Sequence, residues 1–501
     1  MNYPVWQLGY PGGLLIALIA VLHVFVSHFA VGGGAFLVVS EHLAYKRNDS
    51  ELLDYAKRHA KFFALVTLVF GAVTGVGIWF TIALVSPEAT SSLIHTFVWG
   101  WAIEWVFFFV EIAAALIYAY QWDRLDRKTH LIVGWIYFIA AWASMVVING
   151  IITYMLTPGR WLETKAFWDG FFNPTYWPSL LTRMAMAIAL AGMFGLITAM
   201  RMSQPVRDRV VRMAGVWLVS GLAFIPFLVW WYFVQFPAFA KSYLAGLIPT
   251  AQHAVRAGLF CTVFAIVLTI LLALWKPRLM NAVGVAVLLV CGLGVMASGE
   301  YLREFSRKPY AVNGYIYAND LRPGAVDVIS ADGVASHAKW LTSAAEDDLS
   351  RGKELFTIQC GNCHSVDGYR AIRKRVASWD AQFAAEIMRG IHLTRGTMPR
   401  FAGNDEDRRA LGVYLASLNQ DKRTAPADNE SQLGRMQFET RCAMCHTIAG
   451  QRRPLLSFHG ADVETADGML QALDAMNPEM PQFTGSEAER RALAKWLVAQ
   501  K

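Results

Sequence analysis

The sequence predicts an all-α protein, a polytopic bundle of about eight transmembrane helices followed by two small all-α domains. Three observations carry this expectation. Of the 501 residues, 55% are hydrophobic and only 17% are charged, whereas an average soluble domain is roughly a quarter charged. The charges are also unevenly spread, with 34 in residues 1–305 and 49 in residues 306–501, so the first part reads as membrane and the second as soluble. Finally, residues 350–501 repeat with a period of 82, as two tandem copies of one small helical domain would. Disorder, a secreted disulfide scaffold and a purely soluble enzyme are excluded.

Crossing a bilayer takes about 20 apolar residues. Eight segments qualify, near 12–43, 60–86, 92–120, 130–156, 179–202, 209–234, 251–275 and 279–300. Met1 to Tyr10 carries no basic n-region, and no small-residue cleavage site follows the first apolar run. That run is therefore expected to stay as a transmembrane helix. Loops after the odd-numbered helices hold 14 Lys and Arg, among them Lys46, Arg124, Arg207 and Arg278, and the other loops hold five. The positive-inside rule then places both termini outside the cytoplasm, which in a bacterium puts residues 306–501 in the periplasm of the inner membrane. The net charge of +7 sits almost wholly in the membrane part. Loop topology explains it, and no nucleic-acid partner is expected. Cys261 and Cys291 lie inside apolar runs and read as small buried hydrophobes.

Residues 306–349 read as a linker, with turn residues at Arg322-Pro323-Gly324 and Asp332-Gly333. The repeat follows, as domains 350–425 and 426–501. Gly352 matches Gly434, Phe356 matches Phe438, and Cys360-Gly-Asn-Cys363-His364 matches Cys442-Ala-Met-Cys445-His446. Met398-Pro399 then matches Met480-Pro481, and Asp407-Arg-Arg-Ala-Leu411 matches Glu489-Arg-Arg-Ala-Leu493. Cys-x-x-Cys-His attaches haem c by two thioethers and supplies the histidine as iron ligand. A zinc or dithiol site is the competing reading, but two copies, each followed by His and a later Met-Pro, disfavour it. The sixth ligand in such domains is typically a methionine, whose soft thioether favours Fe(II) and raises the potential. Met398 and Met480 each lie 38 residues after the first cysteine of their repeat. The rival ligands, His392 and His459, do not occupy equivalent positions. Residues 350–501 thus resemble class I cytochrome c, with two covalent haem c groups, His364 and Met398 on one iron and His446 and Met480 on the other. Six-coordinate haems of this kind carry electrons rather than bind substrate.

Ionisable residues inside a bilayer are costly and usually functional. The candidates are His23, His28, Glu104, Glu111, Glu300 and Glu304, with His95 and His253 near helix ends. Four scattered histidines are too few for a haem-copper oxidase. Glu104 and Glu111 are seven residues apart, so both carboxyl groups face one side of a helix about 10 Å apart along its axis. Packing acids are the bland reading. A proton relay or haem-site carboxylates account better for two acids set among Trp105 and Phe107 to Phe109.

The membrane half resembles the haem-bearing subunit I of the cytochrome bd oxygen reductases. Helix 1 carries His23, then Gly32 nine residues on and Glu41 eighteen on, the family's spacing from its high-spin haem ligand. Helix 2 has Gly71-Ala-Val-Thr74-Gly75. Helix 3 has Ala102-Ile103-Glu104 and ends in Trp122-Asp123-Arg124-Leu125, with His130 eight residues after the Trp. Asn149-Gly150 precedes Pro158, and Glu304-Phe-Ser-Arg307-Lys308-Pro309-Tyr310 looks like the family's Glu-x-Gly-Arg-Gln-Pro-Trp stretch. The resemblance implies that His23 and Glu304 ligate two high-spin haems, of b or d type. It implies Glu104 and Glu111 as haem-site or proton-path acids, Arg307 beside the haem propionates, and a second membrane subunit related to cytochrome bd subunit II. There are departures. Thr182 and Arg183 stand where the family has its low-spin haem histidine, the partner methionine falls near Gly258, and the quinol-binding loop shrinks to roughly residues 235–251.

Two c-type haems beside a missing quinol site point to a cytochrome-c-fused branch of that superfamily. The expected function is a terminal oxidase. A periplasmic donor reduces the c haems, and electrons pass to the one or two non-covalent membrane haems, where oxygen is reduced to water. The alternatives are a non-catalytic electron-transfer subunit of a larger respiratory complex, or a reductase of another small oxidant such as nitric oxide.

Overall fold

The computed structural model describes residues 9–204, 206–247, 249–338, 347–377, 379–418, 429–443, 445–446, 448, 458, 460–477 and 480–500. It is 77% helical, and among the described residues eight helices are long and apolar enough to cross a membrane. We label these α1 (Gly12–Arg47), α2 (Ser50–Val85), α3 (Val98–Tyr120), α4 (Arg127–Tyr154), α5 (Tyr176–Ala199), α6 (Val206–Val234), α7 (Thr250–Trp275) and α8 (Ala282–Arg307). Two compact units result. One comprises Leu15–Ala83 and Thr90–Arg307, and the other Met1–Leu14, Leu84–Ala89 and Lys308–Lys501.

In the first unit the helix starts follow local chemistry. Asp49 accepts the Leu52 amide hydrogen at 3.0 Å to cap α2, and Asp126 caps α4 through Lys128 and Thr129, each satisfying amides that the first turn leaves open. Helix α5 lies at the centre: 67% of its most apolar window is buried, against 17–39% for the other seven. Its neighbours approach backbone to backbone. A Cβ at Gly32 of α1 would stand 2.0 Å from the Ala187 carbonyl oxygen, and one at Gly221 of α6 would stand 2.3 Å from that of Ala185. Small residues at such crossings are how apolar helices associate without a hydrophobic driving force. Where α2 passes His23 it widens into a π-helical stretch, Leu65–Gly71, of the sort found frequently at functional sites.

Helix α8 runs past the apolar segment visible in the sequence (279–300) by two further turns, to Arg307. The polar extension persists because its charges pair at the i,i+3 spacing, Glu300 with Arg303 and Glu304 with Arg307, which compensates for the lost hydropathy.

The second unit begins with an antiparallel hairpin, β1 (Tyr310–Val312) and β2 (Ile316–Tyr317), and a short helix, Pro323–Asp332. Tyr317, Leu321, Val326, Ile329 and Val334 pack into the same core as Leu355, Phe356, Phe383, Leu411 and Leu415 of the first repeat. Asp320 accepts the amide hydrogens of Glu88 and Ala89 at 3.1 and 3.3 Å. Burial pushes its carboxyl up to about 7.

Each repeat is a crossing of two helices. The first pairs α9 (Asp348–Gln359) with α10 (Asp405–Ser417); the second pairs α11 (Glu430–Gln437) with α12 (Glu487–Val498). Capping boxes start the second helix of each pair, Asn404 with Asp407 and Ser486 with Glu489. The crossings depend on the matched glycines. A Cβ at Gly352 would lie 2.0 Å from the Ala410 carbonyl oxygen, and one at Gly434 would lie 2.2 Å from that of Ala492. Gly434→Val is therefore expected to destabilise the second repeat by about 3 kcal/mol, at the upper end of overpacking costs, because the obstacle is backbone. Denaturant titration followed by the haem c absorbance would show it. An unshifted midpoint would contradict the close crossing.

Candidate functional site

The two Cys-x-x-Cys-His motifs begin directly after α9 and at the end of the π-helical turn Phe438–Cys442 that follows α11. In the first repeat the chain turns so that the Cys363 and His364 amides donate to the Cys360 carbonyl at 3.1 and 2.9 Å. In the second, Cys445 and His446 donate to the Cys442 carbonyl at 3.0 and 2.9 Å. One turn geometry thus serves both motifs. His364 Nδ1 faces the Arg370 carbonyl oxygen at 3.1 Å, and burial lowers the imidazole to about 4. A neutral ring donating through Nδ1 keeps its lone pair on Nε2, the form a metal ligand needs. Among the described residues no three His, Cys, Asp or Glu side chains converge as a metal site.

A clamp holds each methionine loop. Gln359, next to Cys360, bonds Ala402 twice, donating to its carbonyl at 2.6 Å and accepting its amide hydrogen at 3.0 Å. Ala402 lies four residues after Met398. One period later Arg441 donates to Thr484 at 2.7 Å, and Thr484 lies four residues after Met480. Sequence reasoning missed these clamps, although the repeat alignment places them opposite each other. His459, the rival ligand, lies outside the described residues.

Arg441 does more than its counterpart. Its guanidinium reaches Asp380 of the first repeat at 3.0 Å and stacks over Phe383 and Phe483. Arg441→Gln keeps a Gln clamp like that of the first repeat and removes the tie between repeats. A coupling of about 1–2 kcal/mol is expected from the ion pair and ring contact together. A double-mutant cycle with Asp380→Ala would measure it; a coupling near zero would show the tie to be idle.

In the membrane unit, His23 of α1 meets Thr74 of α2, Nδ1 to Oγ1 at 3.1 Å. Thr74 donates its own proton to the Phe70 carbonyl at 2.8 Å. With that proton on a backbone carbonyl, the Thr74 oxygen is placed to accept from His23 Nδ1–H, the tautomer that keeps the lone pair on Nε2. Gly75 keeps the ring uncrowded, since a Cβ there would stand 3.2 Å from His23 Cε1. The residues fit an axial haem ligand.

Glu104 accepts from Ser144 of α4 at 2.9 Å. The Tyr137 hydroxyl, also on α4, spans the Ala30 carbonyl at 3.0 Å and Glu111 Oε1 at 3.2 Å. Both acids of α3 thus face hydroxyls of one neighbouring helix. Glu304 pairs with Arg307, whose Nη1 also meets Met155 Sδ at 3.3 Å. His23 and Glu304 are held by different neighbours. Glu41, known from the sequence only as a spacing, is buried and bonded to the Tyr118 hydroxyl at 2.7 Å and His130 Nδ1 at 2.8 Å. His130 Nε2 in turn meets the Tyr118 carbonyl at 3.0 Å. A further polar group joins Arg183, Glu300 and Arg303. Neither network was readable from the sequence, since each joins helices distant along the chain.

Residues 14–233 match the family described as cytochrome bd terminal oxidase subunit I. Residues 347–415 and 429–497 each match the cbb3-type cytochrome c oxidase subunit III family. A curated relative, the putative cytochrome bd menaquinol oxidase subunit I of Bacillus subtilis (strain 168), is 28% identical over 163 residues, 31% of this chain. The match spans about a third of that relative's length, 36%. The solved structure of the bd oxidase from Geobacillus thermodenitrificans aligns with a TM-score of 0.52 at 17% identity, over 62% of this chain and 90% of that one, a likeness of fold. Cytochrome c domains imply covalent haem c, and the bd family implies membrane haem. The membrane part thus matches the cytochrome bd terminal oxidase subunit I family over residues 14–233, and the C-terminal part matches cytochrome c domains over residues 347–415 and 429–497.

Proposed function

We propose that this chain is a respiratory haem oxidoreductase of the bd type that takes electrons from a c-type donor rather than from quinol and reduces oxygen to water. Its parts are a membrane domain (1–305), a linker (306–349) and two cytochrome c domains (350–425 and 426–501), the latter in the bacterial periplasm. The observation that carries the reading is His23, a membrane histidine whose Nδ1 lies 3.1 Å from the Thr74 hydroxyl, an arrangement that suits the ligand tautomer.

Haem iron, when bound, supplies the one-electron couple and, with one coordination position open, the chemistry of a diatomic oxidant. The chain's own residues do the rest. Cys360, Cys363, Cys442 and Cys445 would anchor the c groups, and His364, Met398, His446 and Met480 would hold their iron. A methionine–histidine pair would raise the potential of such a group and would suit electron transfer rather than substrate binding. His23 and Glu304 hold the membrane haem or haems, of b or d type, and Arg307 neutralises propionate charge. Glu104 and Glu111 relay protons taken from the aqueous phase towards the reacting oxidant, with Ser144 and Tyr137 beside them as hydroxyls that pass a proton on and regain it. The partners are a second membrane subunit related to bd subunit II, a periplasmic electron donor and oxygen.

The test is a carbon monoxide difference spectrum of the dithionite-reduced protein purified in detergent. A shift in bands outside those of haem c is expected and would support an open membrane haem, its wavelength separating b from d. An unchanged spectrum would leave an electron-transfer subunit. Nitric oxide consumption exceeding that of oxygen would redirect the reading to the other oxidant.

A further inference from the structure

A charge imbalance lies buried in the membrane unit. Glu300 of α8 bonds Arg303 through one oxygen, at 2.9 Å to Nε and 2.8 Å to Nη2. Its other oxygen is 3.8 Å from Arg183 Nη2 of α5, beyond hydrogen-bond reach. Two guanidinium groups thus share one carboxylate. The side chains of Arg183, Glu300 and Arg303 are 12%, 12% and 19% exposed, and Arg183 Nε is buried with no partner. The other groups within electrostatic reach of Arg183 are His28 and Tyr232. Neither offers a counter-charge: His28 donates through Nδ1 to the Val24 carbonyl at 2.7 Å, and Tyr232 is a phenol.

An arginine fixed among membrane helices with most of its five donors idle is costly unless an anion meets it. The planar guanidinium fork suits a carboxylate by shape as well as charge. We infer that Arg183, backed by Glu300 and Arg303, forms a binding site for a carboxylate, and that its occupant is a propionate of a membrane haem. This rests on the haem reading above. The same chemistry admits a free carboxylate anion as occupant. Glu300 sets the orientation: by engaging Arg303 it leaves Arg183 as the donor turned to the ligand.

The test uses the full chain in detergent, comparing wild type with Arg183→Leu and Arg183→Lys. Folding is judged independently by membrane insertion and by covalent haem content, which neither variant should change. Should the leucine variant fail that check, the lysine variant carries the test. Non-covalent haem is extracted and quantified, and the potential of the membrane haem is titrated spectroscopically. Arg183→Leu is expected to shift that potential downwards or to lose haem, with Arg183→Lys intermediate, because an uncompensated propionate favours the oxidised iron. Unchanged potential and content in a folded variant would overturn the site while leaving the oxidoreductase reading intact. Should the wild type hold no extractable haem, that reading falls, and acetate decides the site. Thermal stabilisation by acetate in the wild type but not in Arg183→Leu would support a free-carboxylate site; none in either protein would overturn it.

Discussion

Replacing His23 by alanine is expected to abolish the carbon-monoxide-sensitive spectrum of the membrane half, and with it oxygen consumption, while both covalent haems remain. The expectation follows from tautomer control. Thr74 donates to the Phe70 carbonyl, which places its oxygen to accept from His23 Nδ1, and in that tautomer the ring presents Nε2 as its lone-pair atom. Thr74→Val removes that acceptor and frees the ring to turn or change tautomer. Loss of such an outer partner typically costs 10–100-fold in affinity or activity, whereas Thr74→Ser restores the hydroxyl and should retain most of both. The pair separates orientation from packing, because valine fills the threonine volume. A His23→Ala protein that keeps its carbon monoxide response would remove His23 from the ligand set. Equal losses in the valine and serine variants would assign Thr74 to packing alone.

How far these features were readable in the sequence depends on the distance over which each is set. The eight spans were readable because a bilayer imposes length and hydropathy on every crossing segment, and the covalent haem motifs because five consecutive residues carry them. The end of α8 was not, since Glu300, Arg303, Glu304 and Arg307 lower the local hydropathy and only their pairing keeps the helix going. The tautomer of His23 needed Thr74, a residue 51 positions away. Arg183 stood out in the sequence only as a departure from the family resemblance; its imbalance with Glu300 and Arg303 emerges when α5 and α8 pack together. Gln359 and Arg441 show a middle case. The period of 82 aligns them, but a glutamine and an arginine share no obvious role until both are seen tying down a methionine loop.

The two repeats are expected to differ in how much they need their haem. The first repeat shares its core with residues outside the repeat, including Tyr317, Val326, Ile329 and Val334. The second, matched over residues 429–497, has among the described residues a smaller core of Phe438, Phe458, Ala466, Leu470, Leu493, Ala494 and Leu497. Domains of about 60 residues are marginal on burial alone and lean on metals or covalent staples as they shrink. A porphyrin tethered by two thioethers would supply the missing apolar surface. The double substitution Cys442→Ser with Cys445→Ser should therefore unfold the second repeat outright, a loss of its whole stability of about 5 kcal/mol. Limited proteolysis would cut within 429–497, and a haem-stained gel would show half the covalent haem. The reciprocal substitution, Cys360→Ser with Cys363→Ser, should leave the first repeat more resistant, because residues 317–334 still cover its helices. Resistance that drops equally in both proteins would place the support in the haem alone, and the packing of the 317–334 segment would then contribute nothing to the first repeat's stability.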